Sequence, residues 1–220
     1  MLGVLMLDTK FTRFARDIGD PGSHASALFE RVPSATARRI VGINDDAFME
    51  PFVAAGHRLV ARGATRITTS CGFLIAYQGE LARRLSVPVM TSSLLLLPTL
   101  TAMMPNHRRV GVLTFSGTAL RDHHLAAADA AADTPIQGLA PGCHFQSAIY
   151  EEWTGDPIID FAARDVDVAH AARALITRCP DLGAILLECT NFPPHRAIIA
   201  QATRLPVYDI WSLLRLVVPI

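Results

Sequence analysis

Two cysteines sit in matching local settings. "RITTSCGFLIAY" (66–77) and "AILLECTNFPPH" (184–195) each run from a β-branched or apolar stretch into Cys, then into small or turn-forming residues, then into a helical pattern. Cys71 and Cys189 are therefore expected at the carboxyl ends of strands, just before helix N-termini, where open α/β sheets bind their ligands. Two thiols facing each other across a cleft can take a proton from one side of a carbon and return one to the other. A helix N-terminus or nearby donors can lower a thiol pKa enough for that role. The weakly acidic Cα–H would also require aligned donors around the substrate carboxylate as enolate-like charge develops.

The elements that must position these thiols alternate. Short buried strands are expected at 3–8, 66–70, 87–92, 109–115, 183–188 and 205–210, rich in Val, Ile, Leu and Thr without strict alternation. Such runs suit parallel strands covered on both faces. Helices are expected at 45–62, 75–85, 118–132 and 164–178, the first capped by Asn44 or Asp45 and ended by Gly63. The order argues an α/β protein with parallel sheets.

The chain also repeats itself. Pro88 lies as far beyond Cys71 as Pro206 lies beyond Cys189, and "SVPVMTS" is matched by "RLPVYDI". Each half opens on Gly-Val-Leu, at 3–5 and at 111–113, with an insertion lengthening the second half before its cysteine. An internal duplication predicts two pseudo-symmetric, Rossmann-like or flavodoxin-like lobes with a cleft between them. The expected lobes are 1–98 with 207–220, and 99–206.

Composition narrows the function classes. The 220 residues carry 20 basic and 20 acidic side chains, with the basic ones scattered, so the footprint of a nucleic-acid binder is missing. The apolar start lacks the basic flank and cleavage site of a signal peptide, and the run at 94–97 is broken by Pro98. A cytoplasmic protein without a membrane span is expected. The four cysteines, Cys71, Cys143, Cys179 and Cys189, then read as free thiols. No metal-ligand spacing appears among them. Cys143 in a Pro-Gly loop and Cys179 at a helix end have no counterpart in the other half and read as bystanders.

The quoted motifs carry a resemblance. "TTSCGFL", "LLECTNFPP", "VLMLDT" and "GVLTFSGT" together resemble the aspartate/glutamate racemase superfamily, over essentially the whole chain. That group includes hydantoin racemases, maleate isomerases and arylmalonate decarboxylases. The resemblance implies two pseudo-symmetric α/β domains, an active site between them, no cofactor, and Cys71 and Cys189 as the acid/base pair. It also implies substrate contacts from Asp8 and Thr9 after the first strand. Thr114, Ser116, Gly117 and Thr118 are the matching turn of the second half, and Thr190 and Asn191 follow the second cysteine. Ser70, Gly72 and Phe73, flanking Cys71, complete the expected lining.

Where glutamate racemases have Cys-Asn-Thr, this chain has Cys71-Gly72-Phe73, which removes polar contacts and adds an apolar wall. Asn191 stands where a His is common. The segment "RFARDIGDPGSHAS" (13–26) has the Gly, Pro and Asp of a functional loop over the cleft.

The expected function is therefore cofactor-independent racemisation or isomerisation of a small amino acid, hydantoin or related carboxylate, with a homodimer or higher assembly. Rival expectations are a maleate-type cis–trans isomerase, an arylmalonate-type decarboxylase, and a non-catalytic small-ligand binder. Strand alternation points Glu188 away from Cys189, toward packing or a rim salt bridge. His195 reads as a surface residue, and Asp165, Asp167 and His170 as charge capping the helix expected after them.

Overall fold

The computed structural model describes residues 1–43, 46–105 and 107–216. Among these, eight strands form two four-stranded sheets, all of whose pairings are parallel. β1 (Leu2–Met6), β2 (Ala27–Arg31), β3 (Arg66–Thr69) and β4 (Val89–Met90) are ordered β2-β1-β3-β4. β5 (Arg109–Thr114), β6 (Ile136–Gly138), β7 (Leu182–Leu187) and β8 (Val207–Tyr208) are ordered β6-β5-β7-β8. The second sheet repeats the order of the first, so the duplication read from the sequence is a duplication of topology. β3 and β7, the strands that lead to the two cysteines, occupy equivalent inner positions.

The inner strands are apolar because helices cover both faces. All five residues of β1 are buried, as are the last five of β5. The edge strands β2 and β6, absent from the sequence-based expectation, are half-exposed or very short. In the first half α1 (Met49–Ala61), α2 (Gln78–Arg84) and α3 (Leu97–Met103) link the strands. Residues 46–48 and 72–77 wind as 3-10 turns ahead of the first two helices. The expected caps Asn44 and Asp45 lie outside the described residues.

In the second half α4 (Asp122–Ala126) occupies only part of the expected 118–132 helix. α7 (Arg196–Thr203) is the helix expected after Cys189, whereas α3, α5 (His144–Tyr150) and α8 (Ile210–Leu216) were not foreseen. α6 (Pro157–Arg178) starts earlier than expected because Asp156 caps it, accepting from the Ile158 and Ile159 amides, and Pro157 suits its first turn. Asp165 and Asp167 are consequently inside that helix rather than capping it. Asp165 pairs with His195, and Asp167 accepts from the Phe145 amide at 2.8 Å.

The chain's end crosses between the halves. β8 adds to the second sheet beside β7, whereas α8 packs on the 93–96 turn of the first half. Trp211 Nε1 donates to the Arg16 carbonyl at 2.7 Å. No described helix is long and apolar enough to cross a membrane.

Candidate active site

Cys71 follows β3 with Ser70 between, and its flanks are fixed by the strands beside it. The Ser70 amide donates to Leu5 O at 2.9 Å, and Ser70 Oγ accepts from the Leu7 amide at 3.0 Å. Thr69 Oγ1 donates to Thr91 O at 2.6 Å. Cys189 stands at the same distance from its strand, with Glu188 between, whose amide donates to Leu113 O at 2.8 Å. Two bonds then tie the halves together at the thiols. Thr190 Oγ1 donates to Ser70 O at 2.7 Å, and Ser93 Oγ donates to Leu187 O at 2.6 Å.

Both thiols are buried, and both line one small cavity between the halves. Its free space is about 30 Å³, room for a water or two, so it is nearly closed. Of the residues expected to line it, Thr9, Ser70, Gly72, Phe73, Thr190 and Asn191 do so with Cys71 and Cys189. The others lie elsewhere. Asp8 accepts from the Ser34 amide at 2.9 Å and from Arg31 at 3.4 Å, bonds that hold its pKa below the usual carboxylate value. It secures the 31–35 turn and is not part of the cavity wall. Thr114 sits one layer back, donating to Glu188. Ser116, Gly117 and Thr118 line a separate open cleft with Gln137, Gly138 and Arg178.

Half of the wall residues were not in the expected lining, three of them with chemistry of their own. Phe11 and Phe115 add aromatic surface, and Arg13 brings a guanidinium. Arg13 belongs to the 13–26 loop, and a buried carboxylate fixes that loop in place. Asp17, 2% exposed, accepts from Arg13 Nη1 at 2.8 and 3.0 Å and from the Gly19 amide at 2.8 Å. It also accepts from Asn191 Nδ2 of the second half at 2.7 Å. Arg13 Nη2 meanwhile donates to Thr9 Oγ1 at 3.0 Å.

Asp17→Asn is expected to lower stability by about 2 kcal/mol, since the Arg13 ion pair is lost, the Gly19 and Asn191 bonds become neutral and one amide face meets donors. It should also raise KM about tenfold by loosening Arg13. Thermal melts and steady-state kinetics on the same variant check both effects.

Glu188 corrects an expectation. It is fully buried and in the cavity wall, neither a rim ion pair nor turned away. Thr114 Oγ1 donates to its Oε2 at 2.6 Å, while Oε1 is buried without a hydrogen-bond partner. Burial pushes its pKa up to about 7, against the opposing pull of the Thr114 hydroxyl. Burial, then the Glu188 charge, pushes Cys71 up to about 12, although the Phe73 and Leu74 amides and Arg13 favour its thiolate. Cys189 is raised well above the usual thiol value by the same two causes, with only the Asn191 amide in opposition. With the cavity closed, both cysteines are thiols near neutral pH.

His195 is buried rather than exposed and is not in the cavity wall. Its Nδ1 lies 2.8 Å from Asp165 Oδ1, and Phe14, Phe145 and Phe161 surround the ring. Among the described residues, no group of three or more His, Cys, Asp or Glu side chains is arranged to hold a metal ion.

No family model matches the chain. Among curated proteins it is 30% identical over 94% of its length to a dimethylsulfoniopropionate lyase from Durusdinium sp. clade D, of which it covers 70%. The chain belongs to the dimethylsulfoniopropionate lyase family. It is also 30% identical to dimethylsulfoniopropionate lyase 7 of Emiliania huxleyi (strain CCMP1516), again over 94% of its own length, spanning 63% of that protein.

Solved structures show the fold of this chain. A glycine-to-cysteine mutant of arylmalonate decarboxylase aligns over 98% of this chain and 93% of its own, with TM-score 0.61 and 18% identity. A glutamate racemase from Bacillus anthracis aligns over 94% and 75%, with TM-score 0.58 and 16% identity. An aspartate racemase homologue from Pyrococcus horikoshii OT3 aligns over 98% and 97%, with TM-score 0.54 and 12% identity. The chain thus has the fold of the aspartate/glutamate racemase superfamily, as its motifs imply, and its curated relatives are enzymes named as lyases.

Proposed function

We propose that this chain is a cofactor-independent lyase that eliminates a sulfonium leaving group from a short carboxylate such as dimethylsulfoniopropionate. One observation carries the reading beyond kinship: a single cavity offers a guanidinium, Arg13, and three aromatic walls, Phe11, Phe73 and Phe115, around two thiols. The substrate is a zwitterion. Its carboxylate suits the N–H groups of Arg13 left over from Asp17 and Thr9. Its sulfonium suits aromatic faces, which attract cations without competing for protons.

The chemistry needs one base. A thiolate takes the proton from the carbon beside the carboxylate. The electron pair left there forms the new C=C bond as the C–S bond breaks, and the S–C pair leaves with dimethyl sulfide. Acrylate and a thiol remain. Charge that builds on the carboxylate during proton removal faces Arg13. Cys71 suits the base role better than Cys189, since two backbone amides and Arg13 favour its thiolate, whereas Cys189 has one amide and the Asp17 charge nearby.

A second reading is the racemisation or isomerisation expected from the motifs, favoured by the placement of one thiol from each half in the same cavity. One assay separates the two. Purified protein is incubated in deuterium oxide with dimethylsulfoniopropionate and, in parallel, with single-enantiomer aspartate, glutamate, 5-substituted hydantoins, an arylmalonate and maleate. Proton NMR and headspace gas analysis follow the products. Elimination gives dimethyl sulfide and acrylate in equal amounts from the first substrate and no Cα deuteration of the others. Deuterated, racemised amino acid or hydantoin without dimethyl sulfide would replace the lyase reading by the racemase one.

A further inference from the structure

Resting on the elimination reading, a question of proton supply remains. The cavity's thiols are protonated at rest, and an elimination consumes a base with every turnover. Some group must accept the thiol proton before Cys71 can act. We propose that this group is Glu188: its carboxylate takes the proton from Cys71 Sγ, and gives it up to water after the product has left.

The geometry places Glu188 for this. Its backbone adjoins Cys189, yet its carboxyl reaches across the interface onto the residue after Cys71. A methyl built on Gly72 would stand 2.2 Å from Glu188 Oε1 and 2.3 Å from the Glu188 carbonyl. The carboxyl group thus lies against the backbone at Gly72, next to Cys71, and its charge acts on both thiols. One oxygen is held by Thr114 Oγ1 at 2.6 Å. The other is fully buried in the cavity wall with no partner, which is costly for a purely structural carboxylate and useful for one that must receive a proton.

The remaining titratable or charged groups around the cavity leave this position to Glu188. Arg13, from the loop after β1, is permanently protonated and has no atom to accept a proton. Asp17 is saturated by Arg13, Gly19 and Asn191. Tyr150, behind the wall, lies under the Arg38 guanidinium, 4.6 Å from its ring centroid. The burial that raises Glu188 to about 7 matches it to proton exchange near neutrality.

The step balances. Glu188 carboxylate and Cys71 thiol become carboxylic acid and thiolate; the thiolate then takes the Cα proton and is a thiol again. The net proton of the elimination rests on Glu188 until water removes it. Ionised Glu188 is required at the start, so the rate must rise with pH through the Glu188 titration.

The test compares wild type, Glu188→Gln and Thr114→Val. Glutamine keeps the shape and can still accept from Thr114. In wild type, kcat is expected to rise through one inflection near neutral pH. In E188Q the inflection should vanish and kcat fall about 100-fold at pH 8, with KM within about threefold. Thr114→Val removes a donor that stabilises the ionised form, so it should move the inflection to higher pH; this variant carries the test if E188Q does not fold. An inflection that survives in E188Q, or is unmoved in T114V, would overturn the assignment.

A second arm does not depend on turnover. Infrared spectra of wild type and T114V across pH 5 to 9 should contain a buried carboxylic acid band that disappears as pH rises, later in T114V, and that is absent from E188Q. A carboxyl fixed in one state across that range would sink the proposal. If wild type releases no dimethyl sulfide yet the band titrates, the elimination reading fails while the proton-exchanging carboxyl stands.

Discussion

Gly72→Ala is expected to cost more than 3 kcal/mol of stability and to lower kcat at least 100-fold. The reason is the tightness of the seam between the halves. The added methyl would meet Glu188 Oε1 at 2.2 Å, the Glu188 carbonyl oxygen at 2.3 Å and Glu188 Cδ at 2.8 Å. The carboxyl could turn aside, but the carbonyl cannot. It belongs to backbone anchored on both sides by Glu188 N–Leu113 O at 2.8 Å, Thr190 Oγ1–Ser70 O at 2.7 Å and Ser93 Oγ–Leu187 O at 2.6 Å. Relief therefore requires the two strand ends to separate by roughly an ångström, which is enough to misplace both thiols.

Gly79→Ala is the control. A methyl there meets nothing within 4 Å, and the residue lies in α2. That change should stabilise by about 0.5–1 kcal/mol. Denaturant unfolding with initial rates measures both variants. A stable and active G72A would mean that the seam yields more easily than its hydrogen bonds imply.

The same contact explains a departure from the racemase pattern. Cys-Gly-Phe in place of Cys-Asn-Thr reads in the sequence as the loss of two polar contacts. In the fold, Gly72 makes the space that the Glu188 carboxyl fills, so the Gly after one cysteine and the Glu before the other are a matched pair. Nothing local announces that pairing, because the two residues are 116 positions apart and meet only when the halves close.

What the sequence did reveal has the same kind of cause. Inner strands β1, β3, β5 and β7 carry continuous apolar or β-branched runs because both faces are covered, and the repeated spacing around the cysteines exposes the shared topology. Edge strands such as "ALFER" and "IQG" bury too little to leave a pattern. Period-two alternation misdirected Glu188 because β7 ends at Leu187, and beyond a strand's last residue the rule no longer applies. Arg13 and Asp17 lie in irregular chain, whose side-chain directions follow from tertiary bonds alone. His195 became a core residue because Asp165, one face of α6, neutralises its donor among three phenyl rings. The 114–118 turn forms as expected, yet Thr114 reaches inward to Glu188 while 116–118 look into another cleft.

The cysteine variants carry the other large effect, and their asymmetry discriminates between mechanisms. Cys71→Ala is expected to lower kcat at least 1,000-fold under either reading, since it removes the base best supported by surrounding donors. Cys189→Ala separates them. Racemisation needs a proton on each face of the carbon, so losing either thiol stops it. Elimination takes one proton and returns none, leaving Cys189 only to shape the wall and to donate weakly to Asn191 Oδ1 at 3.8 Å. Its removal should then cost no more than about tenfold. The alanine also takes away a group whose buried sulfur sits within reach of the Glu188 charge, so Glu188 should ionise no less readily. Initial rates of dimethyl sulfide release at pH 8 for the three proteins give the comparison directly. Equal, complete losses in both variants would require Cys189 to transfer a proton in the reaction, and the single-base mechanism would have to be given up.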